Sequence, residues 1–218
     1  MDFEYNPPFE PYLDILYHDE TILIVDKPAE LLSVPGKTEN LYDCVESRAQ
    51  QSFPKARIVH RLDMATSGVM VLALTRKAHR QLSTQFAERH TDKSYIAKVS
   101  GLITDDEGEI NLPLMVDWPN RPLQKVDHGE GKPALTKWRV IKRNADTTLL
   151  YLFPETGRTH QLRVHMQAIG HPILGDRFYA PEDIQTMSDR LLLHAETLEL
   201  THPKTDERMK FSSVCPFE

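Results

Sequence analysis

The sequence predicts a strand-rich fold with few helices, and three observations lead to it. Short apolar runs bounded by polar turns recur along the chain, from residues 14–17 and 21–25 to 191–200 and 209–213. Segments with helical spacing are few, at residues 41–51, 76–89 and 158–169. The run Val69-Met70-Val71-Leu72-Ala73-Leu74 has no polar alternation, as expected of a strand buried on both faces. A chain of 218 residues is long enough to bury a full core, and no composition break divides it, so residues 1–218 read as one domain.

Residues 1–12 hold three prolines and no periodicity, and read as an extended arm. His18-Asp19-Glu20 is the short loop of a first hairpin. Leu41, Val45 and Ala49, four apart, make the apolar face of a short helix. Thr75 is placed to cap a helix over 76–89 whose core stripe is Ala78, Leu82 and Phe86, leaving Arg76, Lys77 and Arg80 off that stripe. Lys93 to Gly101 alternates as a strand, with Tyr95, Ala97 and Val99 on one face. A strand over 109–112 follows. Residues 113–133 read as a long irregular loop, a kind of segment that often carries function. Within it Trp118 offers a stacking face and Arg121 and Lys125 offer phosphate contacts, although the Trp equally suits packing against the core. Strands are expected at 134–142 and 147–153. The helix at 158–169 buries Leu162, Met166 and Ile169, with Gly170 as its C-cap and Pro172 beyond. Arg163 lies about 100° round from that stripe, at the border of the core.

Composition narrows the chemistry. The net charge of -6 fails the simple test for a nucleic-acid binder, but binding depends on the local field. Bases cluster at Arg76, Lys77 and Arg80, at Arg121 and Lys125, and at Lys132, Lys137 and Arg139. Acids gather at Asp105-Asp106-Glu107 and Glu182-Asp183. A solvated surface or a nucleic-acid face would both look so. No apolar stretch reaches bilayer length and no secretory leader is evident, so a cytoplasmic protein is expected. Cys44 and Cys215 have no metal-ligand spacing. His160 and His165 are five apart, which is poor for one helix face, so no metal is expected. No phosphate loop, dinucleotide fingerprint or Gly-x-Ser-x-Gly elbow occurs.

The remaining chemistry centres on residues 57–74. Two apolar runs flank a polar insert with His60, Arg61, Asp63, Thr66 and Ser67, and Gly68 allows a sharp turn into the second run. Such an insert can hold an acid at the edge of a rigid core. Taken alone, Asp63 is more simply read as capping its own turn. With one loop Asp, basic side chains, a strand tyrosine and an Arg-bearing helix, an isomerisation or a one-nucleophile covalent mechanism fits.

His60-Arg61-Leu62-Asp63 with Ser67-Gly68 resembles the catalytic motif of RNA pseudouridine synthases of the RluA family. Lys93-Ser94-Tyr95-Ile96-Ala97 is similar to the family's tyrosine motif, and Gly157-Arg158-Thr159-His160-Gln161-Leu162-Arg163-Val164-His165 to its arginine helix. His171-Pro172-Ile173-Leu174-Gly175-Asp176, Asp26-Lys27-Pro28 and Arg190-Leu191-Leu192-Leu193-His194-Ala195 fit further blocks in the family's order. The resemblance implies the α+β pseudouridine synthase fold, a long bent mixed sheet, largely antiparallel, with flanking helices and loops. It implies no cofactor, no metal and a monomer. The missing N-terminal S4 domain and Asp117-Trp118-Pro119-Asn120-Arg121-Pro122 suggest the branch acting on both tRNA and 23S rRNA, with hairpin-loop uridines as targets. A non-catalytic RNA hairpin binder is the alternative. Carried over by position, Asp63 would be the nucleophile, Arg163 its ion-pair partner and Tyr95 the group against the base. Arg61 would fill the gap left by the flipped uridine, Leu162 would line an apolar wall, and His60, Arg121 and Lys125 would contact substrate. Attack at C6, attack at C1′ and abstraction of a ribose proton all remain open to Asp63.

Overall fold

The computed structural model describes residues 5–217. The chain runs β1 (Asp14–His18), β2 (Ile22–Lys27), α1 (Val45–Ser52), β3 (Arg57–Ile58), β4 (Ser67–Ala73), α2 (Arg76–Glu88), β5 (Asp92–Ser100), β6 (Glu107–Asn111). It continues as β7 (Leu114–Val116), β8 (Gln124–Val126), β9 (Leu135–Arg143), β10 (Thr147–Pro154), α3 (Gln161–Ala168), α4 (Glu182–Gln185), β11 (Leu193–Thr201), β12 (Arg208–Ser212). Ten of these strands form a mixed, mostly antiparallel sheet, and β7 with β8 forms a separate ladder. Contacts along the chain define two compact units. Among the described residues, one holds those through Lys93 together with Ala195–Cys215, and the other holds Ser94–His194 with Pro216 and Phe217.

In the first unit, β2 pairs with β1 on one edge and with β4 on the other, in the register Ile22↔Ala73 to Lys27↔Gly68. Every residue of β4 is buried, which is why its sequence shows no alternation. Ile22, Ile24, Val69, Val71 and Ala73 form one cluster with Ala78 and Leu82 of α2 and Leu198 and Leu200 of β11. The hydroxyl of Thr75 accepts from the Ala78 N–H and starts α2 where its sequence places it. Gly68 stands at φ 116, and a Cβ there would meet the Ala195 carbonyl oxygen at 2.2 Å, so close backbone approach adds to the conformational demand.

Of the expected N-terminal arm, residues 1–4 lie outside the described residues. Residues 5–12 form no helix or strand, yet they are tethered. The Tyr5 hydroxyl donates to the Asp43 carbonyl and accepts from the Leu32 N–H, and Arg48 donates to the Tyr12 carbonyl. The helix expected from Leu41 starts only at Val45. Cys44 and Ser47 form a reciprocal capping pair that sets the boundary, and Leu41 ends a single 3-10 turn instead.

In the second unit β10 pairs with β5 and β9, and β9 pairs with β6. Residues 113–133 are more regular than their prolines and glycines suggest. β7 and β8 pair in the register Leu114↔Val126, because both residues pack with Ala134, Val164 and Tyr179. Asp127 closes the following turn by accepting from the Gly129 and Glu130 N–H groups. Among the described residues no helix is long and apolar enough to cross a membrane.

Candidate active site

The loop between β3 and β4 carries Arg61 and Asp63 and belongs to the first unit. β3 pairs with β4 only through Arg57↔Ala73 and Ile58↔Leu72. At the next step the Val71 N–H donates to His60 Nε2 at 3.1 Å, so an imidazole extends the ladder while the main chain leaves the sheet. The accepting Nε2 fixes the neutral tautomer with its proton on Nδ1. The ring stacks on Phe86 at 4.4 Å, tying the loop to α2. Beyond it the loop is clamped on both sides of Asp63. Ser33 donates to the Leu62 carbonyl at 2.7 Å and accepts from the Leu62 N–H at 3.2 Å. The fully buried Lys27 ammonium donates to the carbonyls of Pro28, Leu31 and Met64. The Thr66 N–H donates to the Asp63 carbonyl and closes the turn. Asp63 is half-buried and Arg61 is exposed. An acid whose neighbours on either side are anchored by buried side chains has a defined position before any substrate arrives.

His60 thus works inside this unit as a strut, with its shown contacts to backbone and ring. Burial and the Lys93 ammonium push its pKa from 6.5 down to about 3. The folded state therefore refuses a proton that the unfolded chain accepts below pH 6.5. Its contribution to stability is complete above that value and fades as the pH falls toward 3. In urea titrations at stepped pH, His60→Gln, whose amide oxygen can accept without titrating, is expected to flatten the acid limb. Superimposable pH profiles for the two proteins would remove this role.

The second unit holds Tyr95, Leu162 and Arg163. Tyr95 is half-buried in mid-β5, opposite Leu152 of β10. α3 starts after His160, which adopts φ 53 and whose Nδ1 lies 2.6 Å from the Tyr179 hydroxyl. Two side chains one turn apart fasten the helix to β9. Gln161 Nε2 donates to the Leu135 carbonyl and the Thr136 hydroxyl, while Gln161 Oε1 accepts from Thr156 and the Arg158 N–H. His165 is sealed between the Thr136 hydroxyl and the Leu112 carbonyl, and burial lowers its pKa. Between them stands Arg163, 4% exposed, whose Nε and Nη2 grip both oxygens of Asp176 at 2.8 and 2.6 Å. Phe178 and Tyr179 lie about 5 Å from its guanidinium carbon. A guanidinium has five N–H donors, so this fork does not exhaust it. Leu162, 7% exposed, is buried on the same helix.

Sequence reasoning places Arg163 at the core border, whereas the helix buries it along with every residue from Gln161 to Met166, and Asp176 as its partner is missed. So are Gln161, Thr136, Ser33 and Lys27 as supports. The signal for Asp176 was its place in the block from His171, without a role attached. Among the described residues no group of three or more His, Cys, Asp or Glu side chains is placed to hold a metal ion.

The RNA pseudouridylate synthase family matches residues 21–168. The chain belongs to that family. It is 55% identical over 98% of both chains to a protein of Escherichia coli strain K12 named dual-specificity RNA pseudouridine synthase RluA. A Haemophilus influenzae protein of the same name is 51% identical, again over 98% of each chain. Among solved structures, human RNA pseudouridylate synthase domain containing 1 superposes with a TM-score of 0.81 at 28% identity, covering 98% of this chain and 87% of that one. As a member of this pseudouridine synthase family the chain is an isomerase acting on RNA, and its sheet is the family's.

Proposed function

We propose that the chain isomerises a uridine in the anticodon stem-loop of tRNA and a hairpin-loop uridine of 23S rRNA, with Asp63 as the nucleophile. The near full-length likeness to relatives named dual-specificity carries the choice of two RNA classes. The reaction breaks the N1–C1′ bond, turns the uracil and rejoins it through C5, from which a proton departs. Every atom but that exchangeable proton is retained, so the chemistry asks for one carboxylate and a proton acceptor. A uridine must leave its stack to be reached, at a cost of a few kcal/mol that is least in a loop. In this reading Arg163 steadies the Asp63 carboxylate and favours its ionised form. Tyr95 lies against the base and helps move the C5 proton, Leu162 lines the apolar wall, and Arg61 enters the gap in the RNA. The clamps on Leu62 and Met64 support the assignment of Asp63, since a nucleophile gains from a fixed position. The whole chain acts as one catalytic domain, as a monomer in the cytoplasm.

RNA carrying tritium at uridine C5 tests the reading. Both tRNA and a 23S rRNA hairpin are expected to release label on incubation with the protein, and silence from both substrates would end it. Arg121 and Lys125 are taken as phosphate contacts from the segment around β7 and β8. The Arg121 guanidinium lies 3.5 Å over the ring of Trp118, itself 60% exposed, and Lys125 stands 3.5 Å from Asp127. Replacing both by Ala is expected to weaken RNA binding and to lower the slope of log K against log salt by about 1 to 2. An unchanged slope would leave this segment a packing role.

A further inference from the structure

Several arginines of this acidic chain are matched to carboxylates: Arg48 to Asp43, Arg143 to Asp106, Arg163 to Asp176, and Arg208 to Asp92 and Glu199. Three exposed arginines that share one surface of the first unit are not. Arg57 at the start of β3, and Arg76 and Arg80 on α2, line one open groove of about 590 Å³ with His79, Ser83, Thr84 and Ala87. Among the described residues none of the three guanidinium groups makes an ion pair or a side-chain hydrogen bond. No acid lines the groove. Glu46 comes near, accepting from the Ile58 N–H at 3.2 Å, but is not part of its wall.

We propose that this groove binds the sugar-phosphate backbone of the substrate RNA, outside the nucleotide being modified. The inference rests on the function proposed above and adds a second anchoring surface to it. Three points carry it. First, arginine forks fit phosphate oxygens two at a time, and the Ser83 and Thr84 hydroxyls supply further donors. Second, positions 76, 80, 83, 84 and 87 recur at helical spacing on one face of α2, away from the Ala78 and Leu82 core face. That stripe runs for about 16 Å at the helical rise, far longer than a single phosphate needs. Third, the groove is fastened to the Asp63 loop by the same element. His79 Nε2 is bonded to the Ile58 carbonyl at 3.1 Å, and Phe86 stacks on His60. RNA held on the outer face of α2 is therefore held in fixed relation to the loop that presents Asp63. Leaving three guanidinium groups unneutralised in a chain of net charge -6 concentrates the positive field there.

The test is the triple variant Arg57→Gln, Arg76→Gln, Arg80→Gln, assayed for binding to a tRNA anticodon hairpin over a range of salt. The salt slope is expected to fall by about 2 to 3, and affinity near physiological salt by roughly tenfold. In turnover, KM is expected to rise more than kcat falls. The wild type should favour the full hairpin over an oligonucleotide holding only the target loop, and the variant should lose that preference. The matching triple Arg→Lys variant keeps the charge and should keep most of the slope. Should the triple Gln variant fail to fold, Arg57→Gln and Arg80→Gln singly should each lower the slope by about 1. A folded triple variant with the wild-type slope and the wild-type preference for the full hairpin overturns the proposal. Binding is read independently of turnover, so absence of tritium release by the wild type would count against the proposed function and not against the groove.

Discussion

Asp63→Asn is expected to abolish tritium release from C5-labelled RNA, by roughly three orders of magnitude or more, while RNA binding changes only a few-fold. The loss should be that large because an amide cannot serve as the nucleophile, and nothing elsewhere in the sequence offers a second acid at that loop. Binding should survive because the supports of the loop engage backbone atoms: Ser33 holds both polar groups of Leu62, Lys27 holds the Met64 carbonyl, and the Thr66 N–H holds the Asp63 carbonyl. An isosteric side chain leaves all of these in place. Retained release in the Asn variant, measured under single-turnover conditions, would falsify the assignment of Asp63 and leave family membership untouched.

The second large effect concerns stability. Asp176→Ala is expected to cost about 3–5 kcal/mol in urea unfolding, since it leaves the buried Arg163 guanidinium without its shown counter-charge. The same change strips acceptors from the Phe178 and Tyr179 N–H groups, which both donate to Asp176 Oδ1. Asp176→Asn retains one acceptor for those amides and should lose less. Pairing Asp176→Leu with Arg163→Met should recover much of the stability, because an apolar pair removes the uncompensated charge along with its partner. The double variant would nonetheless be inactive if Arg163 orients Asp63, so fold and chemistry separate in one experiment. A loss below about 1 kcal/mol in Asp176→Ala would show that Arg163 does not depend on that pair.

The extent to which this protein can be read from its residues differs by element. The strand β4 and the helix α2 were legible because their signals are local. An unbroken apolar run needs burial on both faces, and Thr75 followed by Ala78 and Leu82 needs a capped, one-sided helix. Asp63, Tyr95 and Arg163 stood out only as parts of ordered motifs resembling a family, since a lone loop aspartate more often caps its own turn. The ladder of β7 and β8 was missed because its residues pair on account of a shared apolar floor, Ala134, Val164 and Tyr179, that lies elsewhere in the chain.

Local period and motif, then, were enough for the strand-rich class, the boundaries of α2, the burial of β4 and the family to which the candidate acid belongs. Tertiary structure alone decided what each polar side chain is used for. Only there does Arg163 find Asp176 thirteen positions away, Gln161 and His165 meet on Thr136 of β9, and the His60 ring take a bond that a strand would otherwise supply. Only there, too, do Arg57 and the outer face of α2 line one groove. The physical reason is range. Hydrophobic spacing is repeated within each element and survives in the sequence, whereas a hydrogen bond or ion pair joins single atoms whose separation along the chain carries no period.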